Sequence, residues 1–125
     1  MAKIVRFEDL QSWHKARQLA NLTYDLTRDG EFARDFRLCN QVGDAAGSVM
    51  HNIAEEFHAG TNTEFIRFLK IARRSASEVQ SQLYLALDRE YINNDELASA
   101  YTVATETKRL FNGLIRYLRK SQSTT

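Results

Sequence analysis

Apolar residues recur at steps of three and four along almost the whole chain, with polar residues between them. That period belongs to one face of an α-helix, not to the alternation of a strand. Four stretches carry it. The first runs from about Asp9 to Asp29, with Leu10, Trp13, Ala16, Leu19, Ala20, Leu22 and Leu26 in its stripe. The second runs from about Asp35 to His58 through Leu38, Val42, Ala45, Ala46, Val49, Ile53 and Phe57. The third runs from about Asn62 to Arg89, on Phe65, Phe68, Leu69, Ala72, Ala76, Val79, Leu83, Ala86 and Leu87. The fourth runs from about Asp95 to Lys120, on Leu97, Tyr101, Ala104, Phe111, Ile115 and Leu118, with Lys108 interrupting the seam.

The breaks are Gly30, the stretch Ala59-Gly60-Thr61-Asn62, and Tyr91-Ile92-Asn93-Asn94. Glu8 and Asp9 place negative charge where a helix N-terminus favours it. Thr61-x-x-Glu64 reads as a capping box for the third helix, and Asn93 or Asn94 caps the fourth. Helices of roughly 20 to 27 residues, about 30 to 40 Å long, joined by short loops, predict an all-α, up-down-up-down four-helix bundle. The organisation expected is an N-terminal extension over 1–8, the bundle domain over 9–120 and a polar, frayed tail over 121–125.

Composition narrows this further. There is no proline and there are only five glycines in 125 residues, too little turn chemistry for an all-β chain. Seventeen basic residues against sixteen acidic ones leave +1, which excludes a strongly basic nucleic-acid module but not a local basic face. One cysteine excludes an internal disulfide framework and a cysteine-rich zinc site, and Cys39 reads as a small core hydrophobe. The first seven residues lack the apolar run of a signal peptide, and no stretch approaches the roughly 18 apolar residues of a membrane span. A soluble cytoplasmic protein is expected.

Two local features predict more than a lone bundle. Gly43 and Gly47 lie one turn apart in the second helix, which predicts close approach of another helix or, alternatively, a locally loose helix. Ile66, Ile71 and Leu85 fall off the main seam of the third helix, and Val103, Leu110, Leu114 and Tyr117 make a second seam on the fourth. Surplus apolar surface predicts oligomerisation, with Ile66, Ile71, Val103, Leu110, Leu114 and Tyr117 as the interface. A broad core-facing stripe is the alternative.

Phe7-x-Asp9-Leu10-x-x-Trp13-x-Lys15-Ala16-x-x-Leu19 opens the chain. It is followed by Asn52-Ile53-Ala54-Glu55, by Glu64-Phe65-x-x-Phe68-Leu69-x-Ile71-Ala72, and by Ser75-x-x-Glu78-Val79-x-x-Gln82-Leu83. In this order and spacing, over about residues 7–118, the chain resembles the four-helix bundle proteins encoded in bacterial 23S rRNA intervening sequences. The accessory variability proteins of diversity-generating retroelements look like relatives. The resemblance implies a homopentameric bundle with no established enzymatic activity and, for the retroelement proteins, binding to nucleic acid and a reverse transcriptase. The chain departs from the pattern where an arginine pair is replaced by Gly43 and Asp44, which removes cations from the second helix. Phe32-Ala33 stands where the family has Phe-Pro, and Glu56 replaces a glycine, so the second helix should run at least one residue further.

Candidate chemistry is sparse. Glu55-x-x-His58, with His51 one turn earlier, has the spacing of a di-iron bundle motif. The only other histidine is His14, with Gln11 where the second motif needs a glutamate, so no metal or other cofactor is predicted. There is no Gly-x-Ser-x-Gly and no phosphate-cradling glycine loop. An enzyme is not expected. Asn52, Glu55, Ser75, Glu78 and Gln82 form a candidate polar network between the second and third helices, read as structural in preference to a binding site. Two cationic stripes, Arg67, Lys70, Arg73 and Arg74 on the third helix and Arg109, Arg116, Arg119 and Lys120 on the fourth, are the candidate nucleic-acid contacts. The reading reached is a non-enzymatic, oligomeric bundle serving as scaffold or adaptor for a protein partner. The alternative is a weak, sequence-tolerant nucleic-acid-binding module.

Overall fold

The computed structural model describes residues 4–58 and 60–123. Four long helices form an up-down-up-down bundle, and no strand occurs among the described residues. Helix α1 spans Gln11–Thr27, α3 Phe36–Glu56, α4 Asn62–Asp88 and α5 Asn94–Ser123. A short helix α2, Gly30–Arg34, fills the first predicted break, and a 3-10 turn, Phe7–Asp9, precedes α1. Each long helix packs on two others: α3 on α4, α4 on α5, α1 on α3 and α1 on α5. The helices therefore sit at the corners of a square around one core.

Local chemistry sets the ends. Thr61 Oγ1 accepts the Glu64 backbone N–H at 3.2 Å and caps α4. Asn93 and Glu96 form a complete capping box, each side chain accepting the other's backbone N–H at 2.8 and 3.0 Å. Asp35 caps α3 through Leu38 N–H and also accepts the Tyr91 hydroxyl at 3.0 Å, tying the α4–α5 turn to the start of α3. Helix α4 ends in a Schellman pairing, Tyr91 N–H to Ala86 O and Glu90 N–H to Leu87 O, with Glu90 at φ 63°. Gly30 opens α2 at φ 69°, a left-handed value that suits glycine.

The stripes meet as expected. Leu19, Val42, Val49, Ile53, Leu69, Leu83 and Phe111 are fully buried, and Trp13 is buried against the edge of Phe7. Several expectations need correction. Ile66 and Val103 lie inside the single bundle, each only 7% exposed, because a helix with two neighbours buries more than one seam. Ile71 is partly buried, whereas Leu85 is half exposed. At Gly43 an added Cβ would meet only the Tyr24 ring at 3.6 Å, and at Gly47 only the His51 ring of the same helix at 3.5 Å. These are ordinary contacts, so neither glycine marks an approach closer than alanine would permit. The tail is helical through Ser123; residues 124 and 125 lie outside the described residues. Glu56 is helical, as the missing glycine suggested. No described helix is long and apolar enough to cross a membrane.

Trp13→Ala should lower stability by about 3 to 5 kcal/mol, the range for deleting a buried tryptophan. Urea unfolding measures it, and a loss under about 1 kcal/mol would contradict the placement. The Tyr91 hydrogen bond to Asp35, then burial, then the Asp35 charge, raise the phenol above its ordinary range. A raised phenol stabilises the fold fully below the ordinary value near 10 and ceases to do so as pH climbs through the raised one. Tyr91→Phe should therefore show a shallower loss of stability above about pH 10 than the unaltered chain, read from unfolding midpoints across that range.

Candidate functional site

The polar candidates on α3 and α4 divide. Asn52 Nδ2 donates to both Ser48 O and Ser48 Oγ at 2.8 Å, and Ser75 Oγ donates to Ser48 Oγ at 3.2 Å. Ser48 is thus the hub of the cluster, bonded to Asn52 within α3 and to Ser75 on α4. Glu55 and Glu78 are exposed and take no part, and the inward Gln82 Oε1 has no partner in the chain. Of the five polar candidates, Asn52 and Ser75 alone enter this cluster, which bonds α3 to α4.

A larger polar cluster lies between α4 and α5. Gln80, 5% exposed, donates to Thr105 Oγ1 at 2.9 Å and to Tyr101 O at 3.2 Å. Its Oε1 accepts Lys108 Nζ at 2.6 Å, and the same ammonium donates to Ser77 Oγ at 3.2 Å. Arg73 donates to Asn112 Oδ1 at 2.7 Å. Lys108 interrupts the apolar seam because a buried amide opposite receives it. The spacing of α4 alone could not show this, since the partner is set by the register of two helices.

These bonds border an open cleft of about 500 Å3 lined by Lys70, Arg73, Arg74, Ser77, Lys108 and Asn112. Lys70, Arg73, Arg74 and Ser77 stand at i, i+3, i+4 and i+7, one face of α4. A second cleft, lined by Thr63, Ile66, Arg67, Lys70 and Arg119, shares Lys70 with the first. Of the eight candidate cations, Lys70, Arg73 and Arg74 come together in the first cleft, joined by Lys108. Arg67 and Arg119 meet in the second. Arg109 instead lines an apolar groove, and Arg116 and Lys120 are exposed near the end of α5.

That apolar groove, about 290 Å3, runs between the start of α1 and the last half of α5. Ile4, Leu10, Leu110, Leu114 and Tyr117 line it around Gly113. Tyr117 is 46% exposed, and Ser12 Oγ is buried at the groove without a partner in the chain.

His51, Glu55 and His58 are all exposed, and no group of three or more His, Cys, Asp or Glu among the described residues could hold a metal. The His58 ring lies edge-on to Phe57, and His14 donates to Glu8 O at 2.6 Å. Cys39 is half buried and donates to Phe32 O at 3.0 Å. Burial, then the nearby Asp35 charge, push its thiol above the usual range, opposite to what a nucleophile needs.

Gln80→Met should cost about 1 to 3 kcal/mol, because it frees Lys108 from a near-isosteric buried acceptor. Lys108→Met in the Gln80→Met background should cost less than the sum of the two single changes. Urea midpoints for the four proteins measure that coupling.

Residues 8–113 match the 23S rRNA-intervening sequence protein family. A crystal structure of a protein of unknown function from the S23 ribosomal protein family of Bacteroides thetaiotaomicron superposes with a TM-score of 0.71 at 28% identity, covering 87% of this chain and 97% of that one. No curated protein matches.

Proposed function

The chain belongs to the 23S rRNA-intervening sequence protein family, and from that premise we propose that it acts by binding, as a self-assembling helical scaffold and not as a catalyst. The apolar groove between α1 and α5 carries this reading. Leu110, Leu114, Tyr117 and Ile4 remain in contact with water after the bundle has formed. Gly113 sits between them in mid-helix, where glycine costs about 1 kcal/mol against alanine. An added Cβ there would meet only the tip of Arg116 at 3.8 Å, so packing within the chain does not require glycine. A neighbouring copy lying over the groove would use both the apolar rim and the space at Gly113. Five copies in a closed ring is the number the family resemblance implies. Such an assembly presents repeated faces of α3 and α4 and suits an adaptor for a protein partner.

Light scattering at micromolar concentration should give a mass well above the 14.4 kDa of one chain, near five times it. A mass of one chain overturns assembly; a dimer mass overturns five-fold closure alone. Leu110→Glu with Leu114→Glu should shift the mass to a single chain and leave the helical circular dichroism largely intact.

A further inference from the structure

Four cations border the cleft between α4 and α5, and no acidic residue lines it. Four ion pairs form elsewhere among the described residues: Arg6 with Glu8, Lys15 with Glu106, Arg28 with Asp25 and Arg67 with Glu64. Among the described residues no ion pair involves Lys70, Arg73, Arg74 or Lys108. Glu78 stands four residues after Arg74, the right spacing for a helical pair, yet none forms. Like charges gathered in a cleft focus a positive potential there and repel one another until an anion enters.

The cleft is also prearranged. Arg73 is held by the neutral Asn112 amide and Lys108 by the neutral Gln80 and Ser77 groups, so both are positioned with their charge unspent. Arg73 uses one of five donors and Lys108 two of three, while Lys70 and Arg74 have all of theirs free. Gln80 anchors Lys108 from inside the bundle, which makes it a positioning residue. From Arg67 to Arg74 the cations of α4 span about 10 Å, the axial rise of about three phosphates along one strand of a duplex. The shared Lys70 continues it into the second cleft, toward Arg67 and Arg119. No aromatic ring lines either cleft, so no platform for stacking bases is present among the described residues.

We propose that the α4–α5 cleft binds the phosphodiester backbone of a nucleic acid, with Lys70, Arg73, Arg74 and Lys108 contacting successive phosphates without reading sequence. An open, linear run of cations suits a chain of phosphates better than one isolated phosphate, which an enclosed pocket would serve. The site stands on the cleft alone and is independent of how copies of the chain assemble.

The test uses the full chain and a fluorescein-labelled 20-nucleotide oligothymidylate, read by fluorescence anisotropy. Four phosphate contacts to a single strand give a slope of log K on log salt near −3, so affinity should fall about 50-fold between 50 and 200 mM salt. Lys70→Glu with Arg74→Glu changes two exposed, unpartnered residues and should weaken binding at least about tenfold at 50 mM salt. Arg34→Glu with Arg37→Glu makes the same change in net charge on α2 and α3 and should alter affinity less than about threefold. An oligothymidylate and an oligoadenylate should bind within about threefold of each other. Absence of binding at 50 mM salt, or equal loss in the two charge-reversed proteins, overturns the proposal. Displacement of the oligonucleotide by inorganic phosphate at equal phosphate concentration overturns it in favour of a single-phosphate site. Light scattering on the Lys70→Glu/Arg74→Glu protein should give the mass of the unaltered chain, which separates loss of the cleft from loss of assembly.

Discussion

Each long helix must serve two neighbours at once. In a square of α1, α3, α4 and α5, a helix contacts the next along two faces roughly a quarter-turn apart, so one apolar seam is not enough. This explains the width of the stripes. On α4, Phe65, Leu69, Ala72, Ala76, Val79 and Leu83 form the main buried line, and Ile66 extends it to a second face. On α5, Val103 does the same beside Ala104. Ala16, Ala46, Ala72 and Ala76 are wholly inaccessible, so the helices meet over small side chains while Phe32 and Phe111 fill the wider spaces. Close packing on two sides leaves little freedom of register, and register decides which polar groups meet.

Polar groups at a helix–helix seam must be matched, because an unpaired donor or acceptor there retains its full desolvation cost. The bundle meets this requirement differently at two seams. Between α3 and α4 the groups are short: Ser48, Asn52 and Ser75 bond across a narrow gap and leave the helices close. Between α4 and α5 they are longer: Gln80 bonds Lys108 and Arg73 bonds Asn112, and Arg73, Lys108 and Asn112 line an open cleft. The same need for matched polar groups thus yields a closed seam in one place and a solvent-filled, cationic one in the other.

Much of the fold was legible in the sequence because it rests on local rules. The period of the stripes identified the four helices, Thr61-x-x-Glu64 located the start of α4, and Asn93 the start of α5. Helix α2 was not legible: five residues between Gly30 and Asp35 are too few to show a period. Ile66 and Val103 looked like surplus surface because a wide core stripe and an exposed patch have the same pattern until the neighbours are known. The cations of α4 were found from their spacing alone, since i, i+3 and i+4 share a face. Ser77, Lys108 and Asn112 were missed as partners of those cations, and Gln80 was missed altogether. Their signal lies in pairing between residues about 30 positions apart, which no single-helix spacing contains.

Net charge conceals how charge is arranged. A chain at +1 would be an unpromising partner for an anion if its ions were evenly mixed. They are not evenly mixed. Several arginines and lysines sit within reach of a carboxylate, and the exposed Glu55 and the half-buried Glu56 stand together at the end of α3, outside the cleft lining. The segregation follows from the helices themselves. One face of α4 carries cations at every third or fourth position, and α5 brings Lys108, not a carboxylate, to the facing position. An acid at that position would form an ordinary inter-helix salt bridge and neutralise the cleft. A lysine held by a buried glutamine keeps the two helices joined through neutral hydrogen bonds and leaves the positive charge turned outward.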